Sequence, residues 1–327
     1  MIISYTICSA NYLAHAKAMG DSLVENNSHH KFVIILLDEY ADLNQNFFTP
    51  HTIIPVSQMN IAGFTEMNVK YTIFELSCAL KPFSAEYIFQ KYTACKKLFY
   101  FDADIFVFGS LHEAEAILNT NSILLTPHFC RAINSRNRSY IERTVLKAGI
   151  YNGGFFGLRR NNETDEFLVW WKKRLEIFCF NDTINGLFVD QVWLNLAPLL
   201  FKSHHIFYNP GYNAAYWNLD ERLFTTVNNE TFVNDRFPLV FYHFSGYDFS
   251  NENIISNFFP EYILENYKIL APLFSRYKQT VLSNNYDNFS NLKSNFGKKA
   301  EKKSIIKINK FFGVRKRDLK SEDYKIK

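Results

Sequence analysis

Two aspartates, Asp102 and Asp104, stand one residue apart in an otherwise apolar run, YFDADIFVFG (Tyr100–Gly109). A buried carboxylate is costly unless something pairs with it. Hard divalent cations take carboxylate oxygens, and Mg²⁺ or Mn²⁺ typically uses one or two carboxylates together with substrate phosphates. The plain alternative is a strand-end turn capped by Asp. His243, in LVFYHFSG, also ends an apolar run. Imidazole suits Mn²⁺ beside carboxylates, whereas an isolated His in such a setting is commonly a satisfied core residue.

Three further stretches carry chemistry-capable residues. In YNGGFFGLRR, Gly153 and Gly154 permit close backbone approach or positive φ; the plain alternative is a bulge entering a strand. Asp190 and Gln191 open a predicted helix, where an acidic residue is favoured by the dipole alone. NPGYNAAYWNL (Asn209–Leu219) has loop chemistry, yet it carries Tyr212, Tyr216 and Trp217. Those rings either stack on sugars or pack on the core.

The surrounding pattern supplies a frame for these residues. IISYTIC and FVIILL read as buried strands, and the stretch from Asn11 to Glu25 between them has near-helical spacing. This strand–helix–strand start predicts an α/β sheet. Residues 72–92 are predicted helical with a break at Lys81-Pro82. KKLFYF is a third buried strand, so the Asp pair falls at a strand's carboxyl end, where open α/β sheets bind ligands. SILLT is a fourth strand. An amphipathic helix is expected from an N-cap at Thr164 to about Phe180, its Phe167, Leu168, Trp171, Leu175 and Phe178 facing the core. VDQVWLNLAPLL is a second helix and LVFYHF a late strand.

The chain has 327 residues, 47% of them hydrophobic, a composition that builds a large core and excludes intrinsic disorder. Its five cysteines are widely spaced with no C-x-x-C, which argues against a disulfide framework and against a zinc site. No basic n-region precedes the first apolar stretch, and no apolar run approaches membrane-spanning length. The expectation is a cytoplasmic protein. Residues 291–327 hold 13 Lys/Arg against 4 Asp/Glu, a net +9, leaving −5 on the rest of the +4 chain. The expected organisation is a catalytic domain over 1–285 and a basic tail over 286–327. Within GKKAEKKSIIKINKFFGVRKR the lysines interleave with Ile and Phe, which suits docking on the inner face of an anionic membrane. A solvated tail is the plain alternative, and no nucleic-acid partner is expected.

Taken in order, Asn11-Tyr12, FDADIFVFG, YNGG, VDQVWLN and YHFSG resemble a GT-A glycosyltransferase. The set is similar to family 8, the retaining group that includes bacterial lipooligosaccharide galactosyltransferases and glycogenin. It is closest in kind to a bacterial surface-polysaccharide group sharing stretches like ALKPF, FDADIFVF, GLFVDQ and PGYNAAYWNL. The resemblance covers about residues 2–250. It implies a Rossmann-like mixed sheet flanked by helices, and transfer of a hexose from a nucleotide sugar, UDP-linked, to a glycan or lipid-linked glycan. It implies that Asp102, Asp104 and His243 hold Mn²⁺ or Mg²⁺, with Asp102 also near the ribose. Asn11 and Tyr12 would border base and ribose; Asn152, Asp190 and Gln191 would line the donor sugar and reaction centre; Lys81 would stand near the donor. Two departures exist. Ser9 stands where family members often carry a base-reading Asp. Tyr247-Asp248 stands where a phosphate-holding Lys is usual, leaving backbone N–H groups near Gly246, or Arg222, as substitutes. Stereochemistry stays open: Gln191 beside the anomeric carbon suits retention, and Asp190 is the candidate base for inversion. The rival enzyme reading is a haloacid-dehalogenase-type phosphatase with Asp102 as nucleophile. It sits poorly with Phe106 and with the strand–helix–strand unit preceding Asp102. A non-catalytic nucleotide-sugar-binding protein is the other alternative.

Overall fold

In the computed structural model, which describes residues 1–39 and 43–297, the near-continuous apolar runs become the central strands. β1 (Ile2–Cys8), α1 (Leu13–Asn26) and β2 (His30–Leu36) form the expected opening unit. β3 (Thr52–Pro55) follows, then α2 (Phe64–Lys70), α3 (Ile73–Ala79) and α4 (Lys81–Lys91). Next come β4 (Lys97–Phe101), β5 (Ile105–Val107), α5 (His112–Ile117), β6 (Ile123–Pro127), α6 (Arg136–Ala148), β7 (Tyr151–Arg159) and α7 (Asn162–Phe178). The short pair β8 (Asn181–Asp182) and β9 (Leu187–Phe188) leads to α8 (Gln191–Leu194), α9 (Ala197–Leu200) and β10 (His204–Ile206). β11 (Phe224–Val227), β12 (Glu230–Val233), β13 (Phe237–Pro238), β14 (Phe241–His243), α10 (Ala271–Ser283) and α11 (Tyr286–Phe289) complete the strands and α-helices of the described residues.

The main sheet has seven strands in the order β10-β6-β7-β4-β1-β2-β3. All its pairings are parallel except those of β7, which runs antiparallel to β4 and β6. The mixed α/β sheet flanked by helices is therefore as expected. Both faces are covered, which explains why its strands read as continuous apolar runs rather than alternating ones. Phe32, Ile34, Phe99, Phe101 and Phe155 feed one core, while Val33, Ile35, Leu98, Tyr100 and Phe156 feed the other. β14 lies outside this sheet and pairs antiparallel with β5, setting His243 opposite Ile105.

Several local expectations change in detail. The break at Lys81-Pro82 is real: α3 ends before Leu80, and Pro82 stands in the first turn of α4, where its missing N–H costs nothing. The N-cap of α7 is Asn161 rather than Thr164, its side-chain oxygen accepting from Thr164 N at 2.9 Å. The Thr164 hydroxyl instead donates to Arg159 O at 2.6 Å, tying the helix to β7. Replacing Asn161 with Ala should cost about 1 kcal/mol, read as a lower urea midpoint at unchanged slope. VDQVWLNLAPLL splits into α8 and α9 because Pro198 starts a new helix rather than ending one. Tyr151–Gly154 belongs to β7 itself, which begins at Tyr151 rather than after Gly154.

The expected boundary at 285 does not coincide with an end of packing. Phe289 is buried against Phe48, their ring centroids 5.8 Å apart. Ser294 Oγ and Asn295 N both donate to Asp38 Oδ1, at 2.7 and 2.8 Å. Phe296 meets the Phe64 ring edge-on. The basic stretch expected to meet a membrane falls at 298–327, outside the described residues. Among the described residues no helix is long and apolar enough to cross a membrane.

Candidate active site

Four chain segments bring their functional residues to one edge of the sheet, the carboxyl end of its parallel strands. The turn after β4 holds Asp102 and Asp104. Its shape is fixed by Asp102 N donating to Gly154 O at 2.8 Å and Ile105 N donating to Asp102 O at 3.1 Å. Antiparallel β7 brings Asn152, Gly153 and Gly154 beside it, because Phe101 pairs with Phe155. β14 delivers His243, and Phe244 N donates to Asp104 O at 2.9 Å. The segment between β9 and α8 supplies Asp190 and Gln191.

The three expected ligands converge. His243 Nε2 lies 2.9 Å from Asp104 Oδ1 and 3.8 Å from Asp102 Oδ2. Candidate ligand atoms from all three lie within 4.8 Å of one another. His243 is buried, whereas the Asp102 and Asp104 side chains stay 33% and 27% exposed, so the cluster has an open side. Burial alone would lower the His243 pKa, but the Asp104 charge reverses this and raises it; burial pushes Asp104 up, and His243 brings it below the usual range. Two carboxylates and an imidazole are a donor set suited to Mn²⁺ and, through the carboxylates, to Mg²⁺.

Lys81 has its head group in this site. Its Nζ donates to Gly153 O at 2.9 Å and Asp190 Oδ2 at 3.0 Å, and lies 3.5 Å from Asp102 Oδ1. Two carboxylates and a backbone carbonyl thus surround one ammonium. Burial disfavours the charged lysine, yet Asp102 and Asp190 hold its pKa well above the ordinary value. Asp190, sharing that cation with Asp102, stays above the usual carboxylate range because burial outweighs the attraction of Lys81. The two directions agree: the lysine is over-compensated and Asp190 under-compensated, so negative charge outweighs the one ammonium. Asp190 makes no side-chain cap to α8, so its helix-start position does not explain it. Val189 before it adopts φ +40°, rare for a β-branched residue and costing about 1–3 kcal/mol.

Asn152 and Gln191 form a buried amide pair. Gln191 Oε1 accepts from Gly153 N at 2.9 Å and from Asn152 Nδ2 at 3.3 Å, while its Nε2 donates to Ala148 O. Asn152 Oδ1 accepts from Gly154 N at 3.1 Å. The glycines serve close approach: a Cβ on Gly154 would fall 2.5 Å from His243 Cε1, and one on Gly153 would fall 2.6 Å from Asp190 Oδ2.

Other expected positions lie around the cluster. Asn11 Oδ1 accepts from the Ser9 hydroxyl at 2.6 Å just past β1, and half-exposed Tyr12 leans on the His15 ring. Burial raises the Tyr12 pKa, and Asp104 adds to it. Gly246 takes φ +74° in a turn whose carbonyl accepts from Asn257 N, and a Cβ there would strike Ser256 and Phe258. Arg222 is buried and donates to Tyr212 O at 2.8 Å, so it is no open phosphate ligand. Tyr212 packs in the core against Phe155, Phe207 and Phe241.

Two site residues, Tyr100 and His128, escaped the sequence reading, and Trp217 of the aromatic loop joins them in the site. Tyr100 donates its hydroxyl to Asp102 Oδ1 at 2.6 Å; it stands two residues before Asp102, a spacing that shares a strand face. His128, at the carboxyl end of β6 just as Asp102 follows β4, reaches Asn152 Nδ2 at 3.3 Å. Burial lowers its pKa to about 4, and its Nδ1 lies 3.1 Å from Ile150 O, an acceptor, so the neutral ring donates there and accepts at Nε2. Trp217 stands edge-on to both His243 and His128, with centroids 5.2 and 5.3 Å apart.

No family model matches the chain. Two proteins of Bacillus subtilis (strain 168) are similar to it. Uncharacterized protein YfnF is 24% identical over 251 residues, covering 74% of this chain and 80% of YfnF. Uncharacterized protein YfnD is 27% identical over 251 residues, covering 76% and 78%. Among solved structures, the galactosyltransferase LgtC in complex with donor and acceptor sugar analogs matches 86% of this chain and 96% of its own, at 13% identity and TM-score 0.49. The WbbM bifunctional glycosyltransferase matches 86% of this chain and 49% of its own, at 12% identity and TM-score 0.49.

Proposed function

We propose that the chain is a metal-dependent glycosyltransferase of the GT-A type, similar to family 8, which moves a hexose from a UDP-sugar to a bacterial surface-glycan acceptor. The observation that carries this reading is the convergence of Asp102, Asp104 and His243 at the open carboxyl edge of the sheet. In this reading these three residues hold Mn²⁺ or Mg²⁺. The bound cation would supply the positive charge that stabilises a departing diphosphate.

The remaining roles belong to the chain itself. Lys81 offsets the charges of Asp102 and Asp190 and fixes the Gly153 carbonyl. Asn152 and Gln191 stiffen the β7 edge where the donor sugar would lie. Tyr100 orients Asp102. Asn11 and Tyr12 border the base and ribose, and the Gly246 turn flanks the phosphates. Asp190 is nearly inaccessible and bonded to Lys81, so its carboxylate is poorly placed to meet an acceptor hydroxyl, which favours retention over inversion. The basic tail supports peripheral attachment to an anionic membrane, where a lipid-linked acceptor would be found.

The test is nucleoside diphosphate release from a panel of UDP-, GDP- and dTDP-sugars, with Mn²⁺ and with EDTA. One UDP-sugar should be turned over with Mn²⁺, and EDTA should abolish it. Turnover of a generic phosphate ester without release from any sugar donor would instead assign Asp102 as a phosphatase nucleophile. Binding of UDP without release would leave a sugar-nucleotide-binding protein.

A further inference from the structure

We propose that His29, His30 and Glu115 form a second cation site, of the zinc type, at the end of the sheet opposite the acidic cluster. His30 is the first residue of β2 and Glu115 lies on α5. Both imidazoles aim at one carboxylate oxygen: His29 Nε2 and His30 Nε2 each lie 2.9 Å from Glu115 Oε1. Candidate ligand atoms of all three residues lie within 4.8 Å of one another. Two imidazoles and a carboxylate, with an open position, suit Zn²⁺, Co²⁺ or Ni²⁺ rather than Mg²⁺.

The geometry needs little change to admit an ion. Ligands about 2.0–2.1 Å from a tetrahedral zinc lie roughly 3.4 Å apart, so the two contacts open by about half an ångström. The His29 side chain is 55% exposed and can move, while those of His30 and Glu115 are 0% and 15% exposed and provide the fixed half. Solvent reaches the His29 side, where water would complete the coordination.

The surroundings resemble those of a ligating histidine. His30 Nδ1 lies 2.8 Å from the Ser4 hydroxyl, and its ring stacks on Phe99. A metal at Nε2 requires the proton at Nδ1, which would donate to Ser4 Oγ. Without metal the hydroxyl can rotate and donate to Nδ1 instead. Lys97 Nζ donates to the Glu115 carbonyl at 2.7 Å, anchoring the helical turn that presents the carboxylate. A bound ion would clip the start of β2 to α5, away from the edge that holds Asp102.

The test uses the full chain carrying Asp104→Ala, which disables the acidic cluster. Calorimetric titration with Zn²⁺ in excess Mg²⁺ should show one equivalent bound. Co²⁺ should give the visible absorption of a four-coordinate site. Adding His29→Ala should weaken Zn²⁺ binding at least about 100-fold and remove the Co²⁺ band; Ser4→Ala should keep the site but weaken it roughly 10-fold. His29 is largely exposed, so its replacement leaves folding intact, which circular dichroism verifies. An absence of Zn²⁺ binding in Asp104→Ala would overturn the proposal. So would Zn²⁺ binding that survives both His29→Ala and Glu115→Gln.

Discussion

Gly154→Ala is expected to cut sugar-nucleotide turnover by about 100-fold or more and to weaken Mn²⁺ binding in parallel. The added methyl would lie 2.5 Å from His243 Cε1 and 2.8 Å from both Asn152 Oδ1 and Asp102 Oδ2. The backbone has little room to retreat. Gly154 O accepts from Asp102 N, its N–H donates to Asn152 Oδ1, and the next residue pairs with Phe101. The side chains must therefore give way, and two of them, His243 and Asp102, are expected ligands. A displacement near 1 Å at such a site costs about two orders of magnitude in rate. Gly157→Ala is the matched control on the same strand, since its methyl would strike Leu118 and Phe99 in the core. It should lower stability by about 1–3 kcal/mol while leaving Mn²⁺ affinity unchanged. Unaltered Mn²⁺ affinity in Gly154→Ala would separate the cluster from metal binding.

What the sequence made legible follows from how each signal is encoded. IISYTIC, FVIILL and KKLFYF were readable because strands buried on both faces are apolar at every position. The Asp pair and His243 were readable because each ends such a run. The pairing that joins them was not: β14 meets β5, residues more than a hundred positions away, and no local pattern announces that contact. YNGG was readable as a point of close backbone approach, but its partners His243 and Asp190 come from distant segments that no local pattern names. Asp190 looked like a helix cap because the lysine that binds it comes from α4. Trp217 followed the same rule, since its role depends on two histidines from distant strand ends. The α7 cap was missed by three residues because Asn161 and Thr164 both suit an N-cap, and only the wider packing gives the Thr164 hydroxyl other partners.

Lys81→Met should destabilise the protein by about 3–5 kcal/mol at about pH 8, because it strands a buried carboxylate. Lys81 and Asp190 are both nearly inaccessible, and the ammonium also bonds Gly153 O and lies 4.7 Å from the centre of the Tyr100 ring. The pH dependence distinguishes charge from packing. Asp190 already sits above the usual carboxylate range, burial outweighing the attraction of Lys81. A carboxyl raised in the folded state contributes its stability below its unfolded pKa and loses it as pH rises through the folded one. Removing the ammonium takes away the strongest interaction favouring the ionised form, so Asp190 rises further. The deficit of the variant should therefore shrink between about pH 8 and pH 5, as the carboxyl takes up a proton and no longer needs a partner. Urea unfolding at the two pH values measures this directly. Adding Asp190→Asn should recover much of the loss at the higher pH, since neighbouring charges couple rather than add. A deficit equal at both pH values, and untouched by Asp190→Asn, would assign Lys81 a packing role. It would also remove the reason for supposing that this edge of the sheet carries excess negative charge awaiting a cation.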